Sequence, residues 1–302
     1  MAMTLVSCAL LVPGFPAAHV AEIGSKRNSA FKLLSKLRTR QGRRKLGRFF
    51  AEGETFLRMR PRGVFVRKSR WKQEGLAQIR QQVLEGAEAP EAPAARPLFW
   101  GGGVPEDDGA AARQASYAVL ENELFDQIST QEKSQGVLCV FGMPLDTAVS
   151  KVTSSNVVVL DGVEDPNNLG VILRTMEAFG SRTLLVTKGT VDVFNPKVVR
   201  CSMGAAVRGR VDVAEVSASE LRPMLRGYRL FSTRLDGSLP STRLQERLTG
   251  RDAFLFGHEA RGLSRELLDL ADEHVRIPMS PHVDSLNVGV AVGVLLHSTL
   301  KG

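Results

Sequence analysis

VVVLDGVEDPNNLGVILRTMEAFG, residues 157–180, is the stretch whose reading decides the fold. Val157 to Leu160 are apolar and mostly β-branched, which suits a strand buried on both faces. A polar turn with an acidic residue and a proline follows, and a helix opens near Asn168. The same alternation continues to the end of the chain. Strands are expected at Thr183–Thr187, Arg208–Val213, Arg229–Thr233, Phe254–Phe256 and His274–Ile277. Helices are expected from Leu169, around Pro196–Met203, at Ser217–Arg226, from Ser264 and from Ser285. Strand–helix alternation of this kind predicts an α/β domain with a parallel sheet and covering helices. Composition alone points to a doubly wound open sheet.

Working outward, the 302 residues exceed one average domain, so two domains, each with its own core, are expected. Forty Lys and Arg against 32 Asp and Glu give a net charge of +8, which favours a polyanionic partner. Residues 26–48 hold ten basic side chains and no acid, and residues 58–72 hold seven more basic ones, again without an acid. Either run can be a solvated basic face or a surface for a polyanion. Three scattered cysteines (Cys8, Cys139, Cys201) form no C-x-x-C pair, and five histidines show no H-E-x-x-H spacing. Neither a disulfide framework nor a metal site is therefore expected, and a reducing, intracellular compartment fits best. No apolar run is long enough to span a bilayer. Residues 1–22 read as a leader or a disordered tail.

The first half opens with a capped basic helix (Asn28 or Ser29 at its start; Phe31, Leu33, Leu34 and Leu37 on its apolar face). A Gly-Arg loop and a strand running into a helix come next, with Phe49, Phe50, Glu52 and Gly53. Val64–Val66 reads as a second strand. Residues 85–115 are dominated by Ala, Pro, Gly and Glu and read as a flexible insertion. Leu120, Leu124 and Ile128 then mark a helical stripe, Val137–Phe141 a strand, and 142–155 a linker.

Neither G-x-G-x-x-G nor G-x-x-x-x-G-K-[ST] occurs, which weakens a dehydrogenase or NTPase reading. Gly257 follows a strand and Gly262 stands five residues on, so the loop between them can bring backbone close to a ligand or be an ordinary turn. Asn168 can be an N-cap and Arg174 a surface residue. Glu259 can be a carboxylate bonding loop amides, and Ser285 the N-cap of the last helix.

Three segments, 157–180, FLFGHEARGLS at 254–264 and RIPMSPHVDSLNVGVAVGVLL at 276–296, resemble in order and spacing the signature motifs of the SpoU (TrmH-like) ribose methyltransferases of the SPOUT superfamily. The basic helix, the Phe-Phe/Glu-Gly strand and the pattern T-Q-x-x-x-Q-G-V at 130–137 resemble that family's amino-terminal substrate domain. The resemblance covers roughly 23–84 and 117–300. It departs where Ala260 replaces a usual glycine, and where Pro281 or His282 stands for another.

The resemblance implies a carboxy-terminal SPOUT domain at 156–302 with a deep trefoil knot. Before it, at 23–141, it implies a small α/β RNA-substrate-binding domain related to a ribosomal-protein fold. The activity implied is transfer of a methyl group from S-adenosyl-methionine to an RNA ribose 2′-oxygen, on rRNA rather than tRNA, by a homodimer paired through the knotted domain. The implied catalytic residues are Arg174, Asn168, Glu259, Ser285 and Asn287. The implied cofactor-binding residues are Gly257, Ile277, Met279 and Leu286, with Thr233 beside them. RNA would be held by Arg200 and Ser202, and by Arg38, Arg43 and Arg44 of the basic run. The expected compartment is a bacterial-type cytoplasm or an organelle matrix. The rival readings are a tRNA enzyme of the same family and a catalytically silent RNA-binding or ribosome-assembly protein.

Overall fold

The computed structural model describes residues 20–59, 61–74, 78–79, 81, 116–143 and 152–300. The expected insertion at 85–115, most of the linker and nearly all of the amino-terminal leader lie outside the described residues. The chain divides into two units. One takes in Met1–Leu145 with Phe194–Pro196, and the other Asp146–Val193 with Lys197–Gly302.

In the first unit the elements run β1 (Ala21–Ile23), α1 (Ser29–Leu37), α2 (Arg40–Leu46), β2 (Arg48–Glu52), a 3-10 turn at Glu54–Met59, and β3 (Gly63–Arg67). They continue through α3 (68–74), β4 (Ser116–Leu120), α4 (Asn122–Ile128) and β5 (Val137–Gly142). The sheet order is β1-β4-β3-β5-β2, parallel from β1 to β3 and antiparallel from β3 to β2. Phe31, Leu34 and Leu37 recur at helical spacing on α1 and pack with Phe50, Phe65, Phe125 and Leu138. Asn28 caps α1 by accepting from Ala30 N.

Two expectations for this unit need correction. The Gly-Arg loop is the helix α2: Thr39 caps it by accepting from Gly42 N, and Gly47 ends it at φ +57°. Leu120 belongs to the strand β4, so the helical stripe begins after it, at Asn122. The buried Glu52 accepts from Thr130 N at 2.9 Å and from the hydroxyls of Ser129 and Thr130. That clamp ties the Thr-Gln loop to β2 and gives the motif residues a structural role.

The second unit holds β6 (Asn156–Asp161), α5 (Pro166–Ala178), β7 (Thr183–Val186), α6 (Pro196–Cys201), α7 (Ala205–Arg208), β8 (Asp212–Glu215), α8 (Ala218–Met224) and β9 (Arg229–Thr233). β10 (Leu239–Pro240), a 3-10 turn at Ser241–Arg247, β11 (Asp252–Gly257), α9 (Arg265–Leu270), β12 (Glu273–Arg276) and α10 (Val288–His297) complete it. All its strand pairs are parallel, in the order β10-β12-β9-β11-β6-β7-β8. The expected strand at 208–213 lies further on, at 212–215, because Arg208 closes α7. Val157, Val159, Leu185, Leu230, Ala253 and Leu255 are buried together in the sheet's core. From β6 the chain builds outward through β7 and β8, then returns to the other side, where β11 lies against β6. Strand order reverses between β6 and β11, and the crevice at the carboxyl ends of such a pair is where open α/β sheets bind ligands.

Candidate active site

Around that crevice a carboxylate holds three strand ends together. Asp161, the last residue of β6, accepts from Thr187 Oγ1 beyond β7 at 2.7 Å and from Ser264 N beyond β11 at 2.8 Å. Between β11 and α9 the loop folds back on itself. His258 N donates to Gly262 O at 3.0 Å and Gly262 N to His258 O at 2.8 Å. A Cβ on Gly257 would lie 2.1 Å from Gly262 C and from Leu263 N, so only glycine lets the two backbones pass. Ala260, where the resemblance leads one to expect glycine, needs no positive φ, and Gly262 supplies the left-handed residue at +68°.

Three of the expected catalytic side chains meet in one hydrogen-bonded chain. Asn287 Oδ1 accepts from Gly289 N at 2.9 Å and so caps α10, which leaves its Nδ2 to donate. It donates to Asn168 Oδ1 at 2.7 Å, and Asn168 Nδ2 donates to Glu259 Oε1 at 2.7 Å. Because an ionised carboxylate only accepts, the orientation of both amides is determined along the chain. Burial alone would raise the Glu259 pKa. The bond from Asn168, backbone hydrogen bonds and the nearby His258 outweigh it and hold the carboxyl below the ordinary glutamate value. Asn168 is 7% exposed and sits at the third position of α5. The N-cap is Asp165, which accepts from Asn167 N, so the cap expected of Asn168 belongs three residues earlier. The helix likewise begins at Pro166.

Ser285 does not cap α10, since Asn287 does; it is exposed in the loop before the helix. Arg174 is six residues beyond Asn168, about 120° around a helix of 3.6 residues per turn. It lies on the exposed face of α5 with Val171, outside the Asn287–Asn168–Glu259 chain, and its guanidinium makes no hydrogen bond or ion pair among the described residues.

Of the residues expected to bind a cofactor, Gly257 and Thr233 end adjacent strands, and Thr233 Oγ1 donates to Leu255 O at 2.9 Å. Ile277 and Met279 are half-buried after β12, and Leu286 is 36% exposed. The backbone groups of these last three enter none of the hydrogen bonds among the described residues, so they are available to a ligand that is read by amides and carbonyls.

The expected RNA contacts divide. Arg38 and Arg44 are exposed, and Arg38 also donates to Gln127 O at 2.7 Å. Arg43 is 2% exposed and donates to Leu37 O and Arg38 O, satisfying carbonyls at the end of α1, so this side chain is committed to the fold. Ser202 is fully buried, donates to Val199 O and accepts from Ala206 N, and turns the chain between α6 and α7. Both therefore drop out as direct contacts. Arg200 is half-buried with no hydrogen bond or ion pair from its guanidinium among the described residues. Among the described residues no group of three His, Cys, Asp or Glu could hold a metal ion, and no helix is long and apolar enough to cross a membrane.

Residues 155–297 match the model of the SpoU rRNA Methylase family. The 23S rRNA (guanosine-2′-O-)-methyltransferase RlmB of Pseudomonas syringae is 37% identical over 144 residues, 47% of this chain and 57% of the relative. The chain spans between 52% and 70% of the length of the first curated relatives that it matches. Among solved structures, a TrmH-family protein of Porphyromonas gingivalis has a TM-score of 0.66 at 27% identity, covering 90% of this chain and 97% of that one. The SpoU methyltransferase AviRb of Streptomyces viridochromogenes, in complex with AdoMet, has a TM-score of 0.70 at 22% identity, covering 90% and 97%, and shows the same fold.

Proposed function

We propose that this chain, which through residues 155–297 belongs to the SpoU rRNA methylase family, is an S-adenosyl-methionine-dependent RNA ribose 2′-O-methyltransferase acting on ribosomal RNA inside the cell. The observation that carries the reading is the chain Asn287–Asn168–Glu259, which joins one residue from each of the three motifs at the crevice of the sheet. The 23S rRNA specificity of the Pseudomonas relative favours ribosomal over transfer RNA.

The cofactor, when bound, supplies an electrophilic methyl group. Gly257, Ile277, Met279 and Leu286 would hold it through backbone groups, with Thr233 at the neighbouring strand end. Glu259, ionised and oriented by Asn168, keeps the loop 257–264 in place, and Ser285 would orient substrate from the loop before α10. A guanidinium stays protonated and is no base, so Arg174 would grip the RNA phosphate and stabilise the negative charge that develops on the ribose oxygen as its proton passes to solvent. Positioning of the ribose oxygen in line with the methyl would supply much of the rate.

The segment after β12 would thread as a trefoil knot. In support, α10, the last helix of the chain, packs on α5 and β11 near the middle of the sheet rather than beside β12, which it follows. Gly289 and Gly293 allow the close approach, meeting Val171 and Thr175 of α5. Val171 and Val290 are 44% and 50% exposed on these paired helices. This apolar surface would be covered in a homodimer, with Arg174 beside it. Residues 23–141 would form the RNA-substrate-binding domain, related to a ribosomal-protein fold, with Arg38 and Arg44 on phosphates; Arg200 would contact RNA from the methyltransferase domain.

Calorimetry with S-adenosyl-methionine and with NAD, followed by transfer of labelled methyl to deproteinised rRNA and tRNA, tests the reading. Saturable binding of S-adenosyl-methionine alone and labelling of rRNA are expected. Binding without transfer to any RNA would favour a silent RNA-binding protein instead.

A further inference from the structure

The loop that carries Glu259 contains a second ionisable side chain, His258, directed inward rather than at solvent. Its imidazole is 17% exposed. Nδ1 accepts from Ala260 N at 3.0 Å and from Arg261 N at 3.4 Å, so two amides of the turn converge on one ring nitrogen. With Nδ1 accepting, the proton of the neutral ring sits on Nε2, 3.7 Å from Glu164 Oε1. Glu164 Oε1 also accepts from Arg261 Nη2 at 3.2 Å, which brings the far side of the turn back to the same carboxylate. The backbone of His258 closes the turn from its other end through the two-way bridge to Gly262. One residue thus fixes both edges of the five-residue loop between Gly257 and Leu263.

We infer that His258 is a positioning residue that pre-forms the loop 257–262 for the cofactor and for Glu259. The inference rests on the reading of this loop as part of the S-adenosyl-methionine site. The role depends on Nδ1 as an acceptor, since a donor at that atom would face the amides of Ala260 and Arg261. The charged groups facing the ring are Glu164, Glu259, whose Oε2 lies 4.0 Å from Nδ1, and Arg261 through its pairing with Glu164.

Calorimetry of the full-length chain with S-adenosyl-methionine tests the inference. At pH 7.5 His258→Leu should weaken binding about 10-fold, the worth of one good and one long hydrogen bond. His258→Asn keeps an acceptor within reach of the amide two residues on and should stay within about 3-fold of wild type. His258→Ala, which removes the acceptor without adding bulk, should weaken binding as much as His258→Leu does. The alanine variant keeps the test open if the leucine variant fails to fold. Wild-type affinity in His258→Leu or His258→Ala, or Asn as weak as either, would overturn the role of His258. Failure of the unmodified chain to bind S-adenosyl-methionine at all would instead overturn the reading of the site.

Discussion

Replacing Asn168 by aspartate changes one nitrogen to oxygen at constant shape, in a position 7% exposed. The donor 2.7 Å from Glu259 Oε1 becomes an acceptor, while the donor Asn287 Nδ2 keeps its partner. Two carboxylates at that separation do not both ionise at low cost, so one takes up a proton. Left ionised, the pair lacks its hydrogen bond to a charged group, and, protonated, it must hold that proton against neutral solvent; at pH 7 the cost is about 1.5–3 kcal/mol. At roughly 2–4 °C per kcal/mol for a body of this size, the second unit should melt about 5–10 °C lower at pH 7.

The pH dependence gives the sharper test. In the wild type Glu259 is held below its ordinary value of 4.5, so its contribution is fully present above that value and is lost as pH falls through the depressed folded value. In Asn168→Asp the shared proton raises a carboxyl pKa in the folded state. The penalty is then largest near neutrality and shrinks toward pH 4.5. Urea unfolding of both proteins from pH 4.5 to 8, followed by circular dichroism, measures the gap. A gap independent of pH, or below about 0.5 kcal/mol throughout, would refute the argument from the Asn168–Glu259 bond.

Arg174→Ala should lower methyl transfer by roughly 10²- to 10⁴-fold while calorimetry shows unchanged cofactor affinity; near-normal turnover on the cognate RNA would remove Arg174 from the chemistry. Light scattering at micromolar concentration should give twice the 32.9 kDa chain mass, and Val290→Glu should shift it to one; an unmodified chain that is monomeric and fully active contradicts the dimer. Neutralising Arg38 and Arg44 to glutamine should flatten the slope of log affinity for RNA against log salt by about 1 per lost phosphate contact. Arg43→Gln should leave that slope unchanged and cost roughly 1–3 kcal/mol of stability, because its loss leaves the carbonyls of Leu37 and Arg38 without their donor.

Parallel pairing made the second unit legible. Strands buried on both faces must be continuously apolar, so Val157–Leu160 and Phe254–Phe256 stand out within polar surroundings. Helix starts were harder to read, because Asn and Ser occur at several adjacent positions. Asp165 wins over Asn168 and Asn287 over Ser285 through which side chain reaches an amide, a property of φ and ψ rather than of residue type. A charge run also conceals its exceptions: nothing in QGRRKLG distinguishes Arg43, buried on the inner face of α2, from the exposed Arg44. The meeting of Asn168, Glu259 and Asn287 was readable only through resemblance, since no local rule relates residues about a hundred positions apart. His258 shows no spacing signal either; its role depends on where one ring nitrogen points.

The hydrogen bond between Asn287 and Asn168 closes a span of 119 residues, and the one between Asn168 and Glu259 a span of 91. Closing a loop of that length costs about 4 kcal/mol of chain entropy before any contact returns it. These side chains therefore meet only after the strands that carry them have paired, and contacts of such long range go with slow folding. During refolding, secondary structure should return first and competence to bind a small molecule last. The lag between the two signals would time the moment at which the final helix reaches its seat.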